Sequence, residues 1–312
     1  MGDPLLPQVT SDTEFEGLRR HEDLWVPAMQ ALASRHGLAG ELHLFPTGSV
    51  VVFIVGERHV IKLHTPWNAT SHATERYLLE ALAGRLPVAS PELVASGHLE
   101  GWGYLVMTRL PGLAMGDAWD RIPPPDRLEI AEMTGRLAAA LHQTRVPGFE
   151  PFIGWDEFIA QRRGECSAQH LAYGLPDHLA SGLEDQLRGV DLSVADPVLL
   201  HTELTDVNLL VARDSRGRWR LSGVFDFEPS MKGHPFYDLP ALTIFVARGV
   251  PALCRAALLG FGVTRLDAHF RRTLLACTLL HRYSHLTSFL ATTGHPIYPD
   301  SWDEMSRWLF GW

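Results

Sequence analysis

The sequence predicts an α+β protein in two lobes: a small N-terminal lobe with a five-stranded antiparallel sheet and a larger, mostly helical C-terminal lobe. Three observations carry that expectation. β-rich runs alternate with tight turns between residues 41 and 109, a Pro111-Gly112 step interrupts the chain, and helical periodicity dominates beyond it. A length of 312 residues also exceeds one ordinary domain of about 100–150 residues. The expected boundaries are 1–107 for the sheet half with its N-terminal helix, 108–112 for a hinge, and 113–312 for the helical half.

Residues 14–36 carry a helical pattern with Leu24, Met29 and Leu32 as apolar positions and Gly37 as the stop. Runs at 41–45, 50–55 and 59–63 are separated by Pro46-Thr47-Gly48-Ser49 and by Gly56-Glu57-Arg58, which reads as a three-stranded meander. A helix is expected over 70–83, ended by Gly84 and the Leu86-Pro87 step. Strands at 93–96 and 104–109 flank the tight turn Glu100-Gly101-Trp102-Gly103 and complete the sheet. Beyond the hinge, Pro123–Pro125 opens a helix through Gln143 whose Ile130, Met133, Leu137 and Leu141 share one face. Two helices are expected over 155–187, broken near Gly174-Leu175-Pro176. Short strands follow at 198–201, 209–212 and 221–225, and the chain from Pro235 onward returns to helix.

Composition narrows the function. Apolar residues make up 46% and charged residues 20%, which describes a folded globular chain rather than a disordered one. The apolar region 239–263 is interrupted by Arg248 and Arg255, so no spanning helix is expected, and the first residues lack a signal-peptide pattern; a cytoplasmic protein is expected. A net charge of -9 argues against a nucleic-acid partner, whose affinity depends on neutralising phosphates. Cys166, Cys254 and Cys277 are too widely spaced for a disulfide framework or a C-x-x-C site. The sixteen histidines include no H-E-x-x-H pair.

The strongest chemical signal is His201-Thr202-Glu203-Leu204-Thr205-Asp206-Val207-Asn208, followed after a hairpin by Gly223-Val224-Phe225-Asp226-Phe227-Glu228. Both stretches fall at strand ends. Hard Mg²⁺ prefers oxygen ligands and takes one or two carboxylates together with substrate phosphates, so an amide and an acid on adjoining loops suit a magnesium–nucleotide site. Phosphoryl transfer also needs a group that orients the attacking hydroxyl and accepts its proton.

In order and spacing, this region resembles the aminoglycoside phosphotransferase and choline kinase family, a small-molecule branch of the protein-kinase-like fold. The family's pattern is H-x-D-x-x-x-x-N, then I-D-F or I-D-W, then a D-x-A-Y-D-L-like segment. Here the three stand as His201-Thr202-Glu203…Asn208, Phe225-Asp226-Phe227 and Gly233-His234-Pro235-Phe236-Tyr237-Asp238-Leu239. The resemblance covers nearly the whole chain, from about Leu42 onward.

The resemblance implies a kinase that uses Mg²⁺ with ATP or GTP as co-substrate and transfers a γ-phosphoryl group to a hydroxyl. Lys62 in Val60-Ile61-Lys62 looks like the strand lysine that contacts the phosphates, with Glu75 of the following helix as its partner and Glu80 as a second choice. It assigns Asn208 and Asp226 to the metal. Gly48 and Ser49 occupy the first strand turn, where a nucleotide loop would approach phosphates, although a plain β-turn explains Gly48 equally well. Thr108 and Leu110 lie in a stretch resembling the connector whose backbone meets the nucleotide base. His201 and Asp238 are expected to buttress the loop.

One departure stands out. Glu203 occupies the position of the family's catalytic-loop aspartate and is longer by one methylene. Its carboxylate has the reference acidity of an aspartate, but a misplacement of about 1 Å can cost about a hundredfold in rate. Asp206, three residues on, is a second candidate for the base. An alternative reading is therefore a kinase-like nucleotide-binding or regulatory protein with impaired transfer. A metallohydrolase built on His201 and Glu203 is a weaker alternative, because Lys62, Asn208 and Asp226 would then be coincidences. The acceptor is expected to be a small hydroxylated molecule, cationic or sugar-containing. Acids at 156, 157, 165, 177, 184 and 185 give the helical insertion its negative balance. His281, Tyr283 and His285 are expected to share one helix.

Overall fold

The structure, a computed structural model, describes residues 4–312. These residues form two compact units. The first comprises residues up to Gly84, Ala89–Leu110 and Asp226–Glu228; the second comprises Arg85–Val88, Pro111–Phe225 and Pro229–Trp312. The chain passes from the first unit to the second at Leu110–Pro111. The short exchanges at 85–88 and 226–228 follow no boundary in sequence order.

The first unit begins with α1 (Asp12–Leu18), whose first turn is capped by the Ser11 side chain accepting from the Glu14 N–H. The single helix expected over 14–36 is interrupted by a 3-10 turn at Glu22–Leu24 before α2 (Val26–Arg35). Pro27 supplies the reason: it opens the first turn of α2 and cannot continue an earlier helix. Strands β1 (Leu42–Leu44), β2 (Val51–Val55), β3 (His59–His64), β4 (Leu93–Leu99) and β5 (Trp102–Thr108) form a sheet in the order β1-β2-β3-β5-β4, antiparallel throughout. Helix α3 (Ala69–Leu82) follows β3. At the hairpin between β4 and β5, Glu100 and Gly101 both adopt positive φ, the conformation that a two-residue hairpin turn requires.

Alternation along β2 buries Val51, Phe53 and Val55 on one face. They join Trp25, Met29, Leu32, Ile61 and Leu63 in a core that α1 and α2 cover. Trp25 lies edge-on to Phe15 and Trp102, with centroids 6.0 and 5.4 Å away. Gly103 has no side chain because the His72 ring fills that space; a Cβ there would come within 2.7 Å of it.

The second unit opens with β6 (Leu113–Ala114), α4 (Met115–Ala118) and the long α5 (Pro124–Gln143), started by Pro124. Helices α6 (Trp155–Ala172), α7 (Asp177–Ala180) and α8 (Leu183–Leu187) follow; the first break falls at Gly174–Pro176 as expected, and a second at Ser181-Gly182 makes three helices where two were expected. Next come β7 (Val198–Leu200), β8 (Leu209–Arg213), β9 (Trp219–Val224) and β10 (Met231–Gly233). They form a three-stranded sheet, β6-β8-β9, and a separate pair, β10-β7. The chain then runs through α9 (Leu239–Ala241), a π turn at Leu242–Val246, α10 (Pro251–Phe261), α11 (Ala268–Leu279), α12 (Leu286–Thr292) and α13 (Trp302–Phe310).

Asp126 at the start of α5 ties that helix to β9, accepting from Arg218 and from the Trp219 N–H. Among the described residues no helix is long and apolar enough to cross a membrane.

Candidate active site

Lys62 and His64 are two residues apart on β3, so strand alternation places both side chains on one face. Glu75 comes from the second turn of α3. Asp226 and Glu228, again two apart, follow the end of β9 and belong to the first unit. These five meet in one cluster. Lys62 Nζ stands 2.6 Å from Asp226 Oδ1, 2.8 Å from Glu75 Oε2 and 3.1 Å from Glu228 Oε2. His64 is completely buried, with its ring nitrogens 3.4 Å from Glu75 Oε2 and 3.5 Å from Glu228 Oε2.

Burial alone would neutralise Lys62 and Glu75; here charge holds both ionised. Desolvation pushes the Lys62 pKa down, but Asp226, Glu75 and Glu228 outweigh it and raise the value well above that of a free lysine. For Glu75, burial pushes upward and the Lys62 ammonium and His64 more than reverse it, leaving its carboxyl below the usual range. Three carboxylates against one ammonium leave the cluster with a surplus of negative charge.

The second group of residues sits on the turn between β7 and β8. Thr202 has φ 69°, a left-handed conformation that is rare for a β-branched residue. Three contacts hold it: its N–H donates to Asp238 Oδ1 at 2.7 Å, its hydroxyl donates to the Pro229 carbonyl at 3.2 Å, and its carbonyl accepts from His281 Nε2 at 3.0 Å. Asp238 is fully buried and also accepts from the His201 N–H and from His142 Nε2. Burial pushes its pKa upward, yet these donors lower it overall. His201 accepts the Glu203 N–H on Nδ1, so its Nε2 carries the proton and donates to the Phe225 carbonyl at 3.2 Å. That carbonyl immediately precedes Asp226, whose φ of 71° is also left-handed.

Asn208 Nδ2 donates to the Glu203 carbonyl, which leaves Oδ1 as the atom available to a cation. Leu204 is buried beneath the loop as its apolar anchor. Asp206 faces elsewhere: its Oδ2 accepts from Arg248 Nη2 at 3.1 Å. Arg248 in turn lies 4.4 Å over the Trp119 ring, whose neighbour Arg127 stands 4.5 Å from the same ring. Burial raises the Asp206 pKa, and Arg248 only partly offsets it.

The remaining expected positions are simpler. Gly48 has φ 106° and lies with Ser49 on an exposed turn between β1 and β2. Thr108 exchanges hydrogen bonds with Glu92, giving its N–H and accepting the Glu92 N–H on its hydroxyl. Glu80 is at the surface beside Arg76 rather than near Lys62.

Sequence reasoning did not single out His64, Glu228 or Arg248. The period-two relation to Lys62 and to Asp226 was the available signal for the first two. Nothing local marks Arg248. His281, Tyr283 and His285 do not share a helix: α11 ends at Leu279, and the next helix begins at Leu286. The imidazoles themselves redirect the backbone, since His281 Nδ1 accepts the Tyr283 N–H and His285 Nδ1 accepts the Ser288 N–H.

A five-stranded sheet carrying a buried lysine–glutamate pair, followed by a helical unit with an Asn-bearing loop at strand ends, defines a protein-kinase-like fold. The chain belongs to the phosphotransferase enzyme family, whose model matches residues 49–274. Among solved structures it resembles wild-type aminoglycoside 2'-phosphotransferase-IIIa bound to GDP, with a TM-score of 0.70 at 17% identity over 87% of this chain and 97% of that one. It also resembles the streptomycin–ATP ternary complex of APH(2")-IIa, with a TM-score of 0.59 at 16% identity over 93% of this chain and 100% of that one. Macrolide 2'-phosphotransferase MphH from Brachybacterium faecium gives a TM-score of 0.57 at 20% identity, covering 87% and 99%. At these identities the likeness shows the fold.

Proposed function

We propose that this protein is a cytoplasmic small-molecule kinase that transfers the γ-phosphoryl group of ATP or GTP to a hydroxyl. The observation that carries this reading is the cluster in which Lys62 is 2.6 Å from Asp226 and 2.8 Å from Glu75. A lysine ordered by a buried carboxylate offers its ammonium to phosphate oxygens without losing further side-chain freedom. Mg²⁺ fits the donor set: Asp226 and the Oδ1 of Asn208 are hard oxygen ligands, and the acidic surplus around Lys62 favours a divalent cation. When bound, the ion neutralises the phosphates and the charge that develops on them.

The chain's own residues supply the rest. Lys62 holds the phosphates, the Leu110 N–H and the Thr108 backbone meet the base, and the Gly48-Ser49 turn covers the phosphate tail. Glu203 accepts the proton of the acceptor hydroxyl. Its N–H is fixed to His201 and its carbonyl to Asn208, so the backbone beneath the carboxylate is held at two points. Asp206 is a poorer base because Arg248 already holds its carboxylate. Several solved neighbours are complexes with GDP or ATP, two of them also with kanamycin or streptomycin, which supports a nucleotide and a hydroxylated acceptor for this chain.

The test is nucleotide consumption across a panel of hydroxylated metabolites and antibiotics with Mg²⁺, wild type beside Asp226→Ala. Consumption in the wild type should drop by at least about a thousandfold in the variant. Equal consumption by both proteins would remove the metal assignment. The longer Glu203 side chain motivates the second reading, a nucleotide-binding protein with impaired transfer. Tight Mg²⁺–nucleotide binding without turnover, unimproved by Glu203→Asp, would favour it.

A further inference from the structure

Arg282 lies in the turn between α11 and α12, and α6 grips that turn through its backbone carbonyls. His170 Nε2 reaches the Leu279 carbonyl at 3.0 Å, Arg162 Nη2 the His281 carbonyl at 3.4 Å, and Gln169 Nε2 the Ser284 carbonyl at 2.8 Å. The Arg282 N–H donates to the Tyr237 hydroxyl at 2.8 Å. The turn is therefore a fixed platform, and it adjoins the catalytic loop: His281 donates to the Thr202 carbonyl, one residue before Glu203.

The guanidinium on this platform lacks a counter-charge. Among the described residues its one side-chain acceptor is the thioether of Met231, 2.8 Å from Nη2, and sulfur of this kind is a weak acceptor. Nε is buried without a hydrogen-bond partner. Among the described residues no carboxylate comes within salt-bridge distance, although the chain carries a net charge of -9. The ring of Phe158 at 5.3 Å and that of Tyr283 at 6.0 Å give it apolar walls, and Tyr283 is itself 50% exposed. Met231 pairs with Leu200 across β10 and β7, which again places the guanidinium beside the start of the loop carrying Glu203.

A planar cation held between aromatic rings, with unused donors, is built to take an oxyanion through two parallel hydrogen bonds. The geometry points to an acceptor that carries an anionic group, a carboxylate or a phosphate, with Arg282 as the residue that selects it. This rests on the kinase reading and narrows it, because a polycation would meet like charge at this position. The acids that suggested a cationic acceptor in the insertion do not oppose it: Asp156, Glu157, Glu165, Asp177, Glu184 and Asp185 are all at the surface.

Two matched series test the assignment in the full-length protein with Mg²⁺ and ATP. One compares D-glucuronate, D-glucose 6-phosphate, D-glucose and D-glucosamine; the other compares 4-hydroxyphenylacetate, tyrosol and tyramine. Phosphoryl transfer is followed, and binding is measured separately by calorimetry with a non-hydrolysable ATP analogue. The anionic member of a series should be preferred by about tenfold or more in KM or Kd, the preference should vanish in Arg282→Gln, and Arg282→Glu should turn it toward the amine. Unchanged nucleotide affinity and Tm in the variants would show that they remain folded. The glucuronate and glucose 6-phosphate arms tell carboxylate from phosphate. No anion preference in either series, or one that survives Arg282→Gln, overturns the proposal. Failure of the kinase reading looks different: nucleotide consumption would not depend on Asp226, while loss of anion binding in Arg282→Gln would still stand.

Discussion

Lys62 is fixed by charge, with three carboxylates within 3.1 Å, whereas the loop from His201 to Asn208 is fixed by hydrogen bonds to its backbone. In the first region the functional group is itself the partner in every contact. In the second, Asp238 and His281 touch His201 and Thr202, and the backbone of Glu203 is held by His201 and Asn208. The difference teaches where each region is vulnerable. A charge cluster fails when its balance is lost, and a braced loop fails when a brace is removed.

The largest break should come from Lys62→Met. Removing the ammonium leaves Glu75 buried beside Glu228 with no cation between them, a loss of about 3–5 kcal/mol in stability. Urea unfolding would show this, and nucleotide binding would weaken with it. A variant as stable as the wild type would mean that the charges are balanced by something other than Lys62.

Acidity probes the loop brace. Burial, reinforced by Arg282, pushes the His281 pKa down to about 4, so the ring is neutral in the folded protein. The unfolded chain takes up this proton near pH 6.5, which the folded chain does not do until about pH 4. The neutral ring's contribution is therefore intact above pH 6.5 and disappears as pH falls toward 4, by about 3 kcal/mol for a shift of this size. His72, His170 and His234 are lowered chiefly by burial and act in the same direction. His281→Gln, which keeps a donor for the Thr202 carbonyl, should flatten the profile of Tm against pH relative to wild type. An unchanged slope would deny His281 its part.

The smallest effect is expected from Asp238→Asn, which keeps one acceptor oxygen but turns an amide N–H toward a backbone donor. About 2 kcal/mol of stability should go. The sharper readout is kinetic: kcat should fall more than nucleotide affinity does, because the altered contacts hold the loop rather than the nucleotide. Equal losses in both would place Asp238 outside the loop's support.

Much of this was legible in the sequence because it is local. The meander around Lys62 follows from alternation and turn chemistry. The triple proline marks the start of α5, and the spacing of His201, Asn208 and Asp226 is a property of two short segments joined by a hairpin. Of the two acids on the helix after β3, Glu75 is the one that reaches Lys62. The break at Pro27 was also legible, though a continuous helix was read through it. The turn at His281–His285 was not legible, since it depends on imidazole nitrogens capturing backbone N–H groups.

The sequence alone determined most of the elements, their order and the residue types gathered at the candidate site, because periodicity, proline and glycine act over a few residues. Only the tertiary structure decided the partnerships. Glu228 joined Lys62, Arg248 paired with Asp206, and among the described residues Arg282 met no carboxylate. Each of those outcomes depends on side chains dozens to more than a hundred positions apart meeting where water is scarce. There the balance of charge and hydrogen bonds is set by neighbours in space, which no local pattern records.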